Sequence, residues 1–203
     1  MTDFYSSTLI VSLLSFAIAT AFTPGPNNLM LLSSGLTFGY KRTLGLIAGI
    51  MVGFPLMVVA VGLGIGELFQ IFPMLYSILK VVGISYLLWM AWQISQAKGS
   101  LHTKETSKPF TFIQAGLFQW VNPKAWIMAI TSTTSFISNE ESIQMQVIFI
   151  AFVYLVVGLF STHSWALGGV LLQKFIQKEK SLRIFNISMA LLMVLSVLPF
   201  MFE

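Results

Sequence analysis

Phe22-Thr23-Pro24-Gly25-Pro26-Asn27-Asn28 interrupts the first long apolar stretch of this 203-residue chain, and the reading of that interruption decides the rest. Proline lacks an amide hydrogen and clashes with the preceding helical turn, and a glycine between two prolines lets the backbone leave helical geometry. The motif therefore predicts that one helix stops before Pro24 and another starts at Pro26. Asn27 and Asn28 then lie in the first turn of the new helix, where free amides and the positive end of the helix dipole can receive a carboxylate. Length agrees with a break. The stretch from Phe4 to Leu36 is about 33 residues, or about 50 Å as one straight helix, against a bilayer core of about 30 Å.

Outside this motif the composition names the solvent. Hydrophobic residues make up 56% of the chain and charged residues 9%, where a soluble domain carries about 25% charged. The few charges gather between apolar runs, so those runs must face lipid or one another. Apolar stretches near Phe4 to Leu36, Leu44 to Ile65, Leu75 to Ile94, Phe112 to Phe136, Val147 to Leu172 and Leu182 to Phe202 predict six transmembrane spans. Asp3 and the absence of Lys or Arg ahead of the first stretch argue against a cleaved signal peptide. The formal charge of +4 reports topology here and gives no reason to expect nucleic acid. With no cysteine in the chain, disulfides and thiolate metal sites are excluded.

Lys and Arg near helix ends are retained on the cytoplasmic side, which orients the spans. Lys41 and Arg42 follow span one; Lys98, Lys104 and Lys108 follow span three; Lys174, Lys178, Lys180 and Arg183 follow span five. The alternate connections contain Glu67, Glu140 and Glu141 and no basic residue. Both termini, marked by Asp3 and Glu203, are thus expected outside, in the periplasm where the cell has one.

Three spans precede the basic loop and three follow it. The second half must then enter the membrane upside down relative to the first, as in many secondary transporters. The expected architecture is an all-α integral membrane protein forming a single domain over residues 1–203, with six transmembrane helices in two inverted three-helix repeats. The halves cover about 1–95 and 112–203 and are joined by a cytoplasmic loop, 96–111. Each half carries a breaker in its first span, since Asn122-Pro123-Lys124 interrupts span four as Pro24-Gly25-Pro26 interrupts span one; helices 1 and 4 are both predicted to be broken. One proline in a membrane helix is usually only a kink. Paired breaks that place backbone amides, side-chain amides and a cation where hydrocarbon would penalise them mark a site. Its candidate substrate-binding residues are Pro24, Gly25, Pro26, Asn27, Asn28, Asn122, Pro123 and Lys124.

Lys124 is the leading charged residue, because a cation so deep in a span needs a cavity or a partner. Lys80 lies nearer the outer end of span three, where snorkelling or pairing with Glu67 accounts for it. His163, near the middle of span five, can titrate at physiological pH and is the candidate proton relay, although a neutral imidazole hydrogen-bonded between helices is the commoner state. Gln119 and Asn186 read as packing hydrogen bonds. Gly45, Gly49 and Gly53 present a small face to another helix, first within the protomer; a homodimer contact is the alternative use. Tyr86, Trp89 and Trp92 read as an interfacial aromatic belt.

The opening motif, the Gly-rich second span, Gly83-Ile84-Ser85-Tyr86-Leu87-Leu88-Trp89 and Asn122-Pro123-Lys124 together resemble the LysE/RhtB family of amino-acid exporters over nearly the whole chain. Pro24-Gly25-Pro26-Asn27-Asn28 with Ser164-Trp165-Ala166-Leu167-Gly168-Gly169 is most similar to its cysteine and O-acetylserine branch. The resemblance implies a bacterial inner-membrane secondary exporter that moves small amino acids or derivatives against protons, needs no cofactor, and uses the eight breaker residues. With no acid inside the spans, a neutral substrate fits better than a cationic one. An enzyme would need His, Asp or Glu gathered near one interface, and a metal exporter would need anionic or imidazole ligands. Export of another small metabolite or ion, or a non-transport membrane role, is the alternative reading, and the latter would leave the paired breaks without a purpose.

Overall fold

The computed structural model describes residues 7–65, 71–97, 108–137, 142–176 and 178–196. Among them every regular element is helical. The first is α1, Ser7–Phe22, and the second α2, Pro26–Phe38. Thr23, held off helical geometry by the following proline, ends α1 with its amide and hydroxyl both on the Ala19 carbonyl, at 3.2 and 3.1 Å. Gly25 is extended and Pro26 takes the first position of α2, where its missing amide costs nothing. The two helices meet at 52°.

A single residue, Gly39 at φ 78° and ψ 168°, joins α2 to α3, Tyr40–Ala60. That region is nearly reserved for glycine. Pro55 interrupts α3 internally, and a π-turn, Val61–Ile65, extends it. Next comes α4, Pro73–Gln96. Thr111 and Gln114 form a reciprocal capping box at the start of α5, Phe112–Phe118, which satisfies two orphan donors at once. A 3-10 turn, Gln119–Val121, and the extended residue Asn122 separate α5 from α6, Pro123–Phe136. Finally α7 covers Ile143–Gln173 and α8 covers Glu179–Leu195.

Breaks therefore occur at both motifs that predicted them. Tyr40–Ile65 and α7 are each long and apolar enough to cross a bilayer alone, and α1 with α2 forms a third, bent candidate. Asp3, Glu67, Lys98, Lys104, Glu140, Glu141 and Glu203, on which the orientation and the Lys80 pairing partly rest, lie outside the described residues.

The core has two parts that meet at the level of the breaks. One gathers Leu29, Met30 and Leu31 of α2 with Leu46, Ile47 and Ile50 of α3, Leu87 and Met90 of α4, Phe118 of α5, and Ala166 of α7. The other gathers Leu13 and Ala17 of α1 with Phe54 and Met57 of α3, Ala125 and Met128 of α6, and Ile150 and Tyr154 of α7. Helices touch backbone to backbone at two crossings in the first part. A Cβ on Gly35 would strike the Ala166 carbonyl and one on Gly169 the Leu32 carbonyl, which locks α2 onto α7. Gly49 and Gly53 give α5 the same approach to α3, with Gly53 facing the Gly116 Cα. Two members of the predicted glycine face thus pack inside the protomer, while Gly45 has ordinary room.

Asn186 is fully buried and donates to the Thr37 hydroxyl at 3.2 Å and the Ala97 carbonyl at 3.0 Å, while accepting from Ser33 at 2.9 Å. It is the interhelical packing bond expected of it. The aromatic cluster does more than line an interface. Tyr86 donates to the Gln114 carbonyl at 3.1 Å and stacks near Trp89 at 5.3 Å and Phe118 at 6.2 Å, so it ties α4 to α5.

Candidate functional site

Breaking a helix in an apolar interior exposes carbonyls at one end and amides at the other, and each must find a partner. At the end of α1 the partners are side chains from elsewhere. Asn28 reaches back from α2 to donate to the carbonyls of Ala21 at 2.9 Å and Thr23 at 2.8 Å. Ser161 of α7 donates to the Ala21 carbonyl at 2.7 Å. The remaining donor is Lys124, whose Nζ lies 2.6 Å from the Thr23 carbonyl, 3.0 Å from the Thr23 hydroxyl oxygen and 3.5 Å from the Pro24 carbonyl. A cation at the carboxyl end of α1 also meets the negative end of its dipole.

The Lys124 side chain runs directly over Gly25: a Cβ at that position would sit 2.8 Å from Lys124 Cδ and displace the cation from its present path. A second link joins the two broken helices. Asn27 donates to Gln119 at 2.8 Å, and Gln119 donates back to Asn27 at 3.1 Å and to the Ala115 carbonyl at 2.9 Å. Gln119 is fully buried.

The two new helix starts differ. Asn122 caps α6, accepting from the Lys124 amide at 3.1 Å, so that terminus is occupied. Gly25 offers α2 no side-chain cap, and Asn27 and Asn28 follow directly in its first turn. Between the breaks, where the two parts of the core meet, lies a cavity of about 60 Å³. Gly25, Asn27, Asn28, Asn122 and Lys124 line its polar side; Ile50, Met51, Phe54, Pro55 and Met128 line its apolar side, with Tyr154, Gly158, Ser161 and Thr162 from α7. Lys124 is the single charged side chain in that lining.

Most of the predicted residues are thus brought together. Pro24 contributes a carbonyl, and Pro26 and Pro123 each begin a half-helix without lining the cavity. His163 stands apart. Its Nδ1 lies 2.7 Å from the Leu159 carbonyl of its own helix and its ring 5.9 Å from Tyr40, outside the cavity lining. Thr23, Ser161 and Tyr154 were not among the predicted site residues, while Gln119, fully buried and outside the cavity lining, makes the packing hydrogen bonds expected of it, here to Asn27 and the Ala115 carbonyl. Thr23 was signalled by its place in the motif. Gln119, only three residues before Asn122, was signalled by proximity to the second break. A tyrosine and a serine within the long apolar α7 gave no such sign.

A helical chain with two facing helix breaks, a cation and amides bridging them and a small cavity between has the make-up of a membrane translocator. The chain belongs to the LysE-type translocators, whose family model matches residues 18–202. It is 31% identical over 191 residues to cysteine/O-acetylserine efflux proteins of Escherichia coli K12 and Shigella sonnei, covering 92% of this chain and 94% of each relative. The same identity and coverage hold for the protein of that name in Escherichia coli O1:K1. No solved structure matches it.

Proposed function

We propose that the chain is a secondary active exporter of small neutral amino acids or their derivatives, of the kind named in its cysteine/O-acetylserine efflux relatives. In this reading it sits in the bacterial inner membrane with six spans in two inverted repeats and both termini outside, and protons drive transport. The observation that carries the reading is the pair of facing breaks joined by Lys124 on Thr23 and by Asn27 on Gln119. Bonds between two half-helices hold one arrangement and can be exchanged for bonds to a substrate. Such exchange lets one repeat rock against the other.

The substrate carboxylate is assigned to the uncapped start of α2 and to Lys124, and its ammonium to the Thr23 and Pro24 carbonyls that Lys124 occupies when the site is empty. Among the described residues no carboxylate lines the cavity, so a cationic side chain would meet only the Lys124 cation there. At about 60 Å³ the cavity is well under the roughly 300 Å³ of ordinary ligand pockets, which favours small substrates and an arrangement that opens on binding. Proton coupling is assigned to His163. Because His163 lies off the cavity, beside Leu159 and Tyr40, its part in coupling would pass through helix packing rather than through contact with substrate.

The test is counterflow in proteoliposomes loaded with unlabelled amino acid. Labelled cysteine, O-acetylserine, homoserine, threonine, leucine and lysine are followed with and without a pH gradient. Selective uptake of the small neutral members, lost on substitution of Lys124 or Asn27, supports the reading. Exchange of none of them by folded, reconstituted protein removes it.

A further inference from the structure

A second and larger cavity begins one helical turn along α2 from the breaks and holds about 370 Å³. Met30, Ser33 and Ser34 of α2 form one wall, Gln93 and Gln96 of α4 another, and Lys108 lies on the approach to α5. Burial is graded across it: Met30 is fully buried, Ser33 and Ser34 nearly so, while Trp92, Gln96 and Lys108 are exposed. The cavity therefore has a closed floor on α2 and an open mouth between the end of α4 and Lys108.

Its position relative to the breaks is set by helix geometry. Asn27 lines the cavity at the breaks, and Met30 and Ser34 line the second one. Residues spaced by three and seven share one stripe of a helix, and three residues span only about 4.5 Å of its axis. Met30 belongs to the same part of the core as Ile50, which lines the cavity at the breaks. On α2, what stands between the two spaces is thus the Met30 side chain, unbranched and able to change shape at little cost.

The second cavity also has the chemistry of a zwitterion site. Lys108 is the one charged side chain among its described lining residues, and Arg42 lies over the ring of another lining residue, Phe38, 5.4 Å from its centroid. Cations at a mouth concentrate carboxylates. Deeper in, Ser33, Ser34 and Gln93 offer neutral oxygens that accept from an ammonium. Its volume falls within the roughly 300 to 1,000 Å³ of small-ligand pockets, whereas the cavity at the breaks, at about 60 Å³, does not.

We propose that the second cavity is an antechamber, which binds the amino acid by its carboxylate on Lys108 and passes it beyond Met30 to the breaks. The proposal rests on the reading of the cavity at the breaks as an amino-acid site. It separates two tasks: the antechamber recognises the zwitterion, and the inner cavity limits size.

The experiment places a thiol in the antechamber at Ala97, a lining residue, in a chain that has no cysteine of its own. Ala97→Cys in proteoliposomes is treated with N-ethylmaleimide, which crosses the bilayer. Homoserine is expected to slow the reaction, and 2-amino-1,4-butanediol, which lacks the carboxylate, to leave it unchanged. Adding Lys108→Gln should raise the half-protecting homoserine concentration about threefold, the scale of an exposed ion pair. Adding Lys124→Ala, which cripples the inner site, should leave protection intact. Protection that disappears with Lys124, or that the amino alcohol also gives, overturns the proposal. So does a thiol that homoserine leaves reactive but phosphatidylglycerol vesicles shield, which would assign the cavity to a lipid headgroup.

Met30→Phe tests the passage. It is expected to lower counterflow about tenfold by overfilling the gap while homoserine still protects the Ala97→Cys thiol. Unchanged counterflow, or protection lost along with it, overturns the passage. A chain that exchanges no amino acid removes the underlying reading too, whereas one that transports without protection at Ala97→Cys removes only this inference.

Discussion

Lys124 ties the second broken helix to the carboxyl end of the first, and Gly25 clears the path its side chain follows. The two residues should therefore fail together. Lys124→Ala is expected to reduce counterflow roughly tenfold or more, the scale of a charge-assisted hydrogen bond, and to reduce surface expression less. Gly25→Ala should mimic it, since the new Cβ would lie 2.8 Å from Lys124 Cδ; normal transport by this variant would show that the ammonium reaches Thr23 by another route. His163→Gln should preserve counterflow and lose the acceleration given by a pH gradient. An intact gradient response would leave His163 a packing role, through its contacts with Leu159, Thr162 and Tyr40. The sequence exposed the breakers because proline and a buried cation are anomalous in hydrocarbon. Tyr154 is not anomalous there: a tyrosine fits any half-apolar wall, and only its place in the cavity lining singles it out.

At the scale of the elements, both breaks could be placed from sequence but only some of the close crossings, those of Gly49 and Gly53, could be. Gly168 and Gly169 are adjacent and carry the same chemistry, yet a Cβ on Gly168 would rest at 3.5 Å from Leu32 Cδ1, an ordinary contact, while one on Gly169 would run into the α2 backbone at Leu32 and Leu36. Which of two neighbouring glycines faces a helix depends on the rotation of α7, and apolar residues surround α7 too evenly to fix that rotation. The same ambiguity separates Gly45 from Gly49 on α3. Gly169→Val is accordingly expected to destabilise the protein by about 1–3 kcal/mol through overpacking, and Gly168→Ala to leave its melting temperature in detergent nearly unchanged. Equal effects would mean that α2 and α7 are not in backbone contact.

Across the whole molecule, the tightest crossing of α2 with α7, Gly35 on Ala166 and Gly169 on Leu32, lies between the first break and the end of α2 that leads to Lys41 and Arg42. If that end faces the cytoplasm, as the loop charges predict, the close α2–α7 contacts lie on the cytoplasmic side of the breaks. Orientation is therefore the premise on which the direction of transport depends. The chain has no cysteine, so single introduced thiols report it against a silent background. Cysteines replacing Arg42 or Lys180 should resist a membrane-impermeant thiol reagent in intact cells and react after permeabilisation, whereas cysteines replacing Asp3 or Glu140 should react in both. The reverse pattern would turn the molecule over and place the α2–α7 crossing on the outer side.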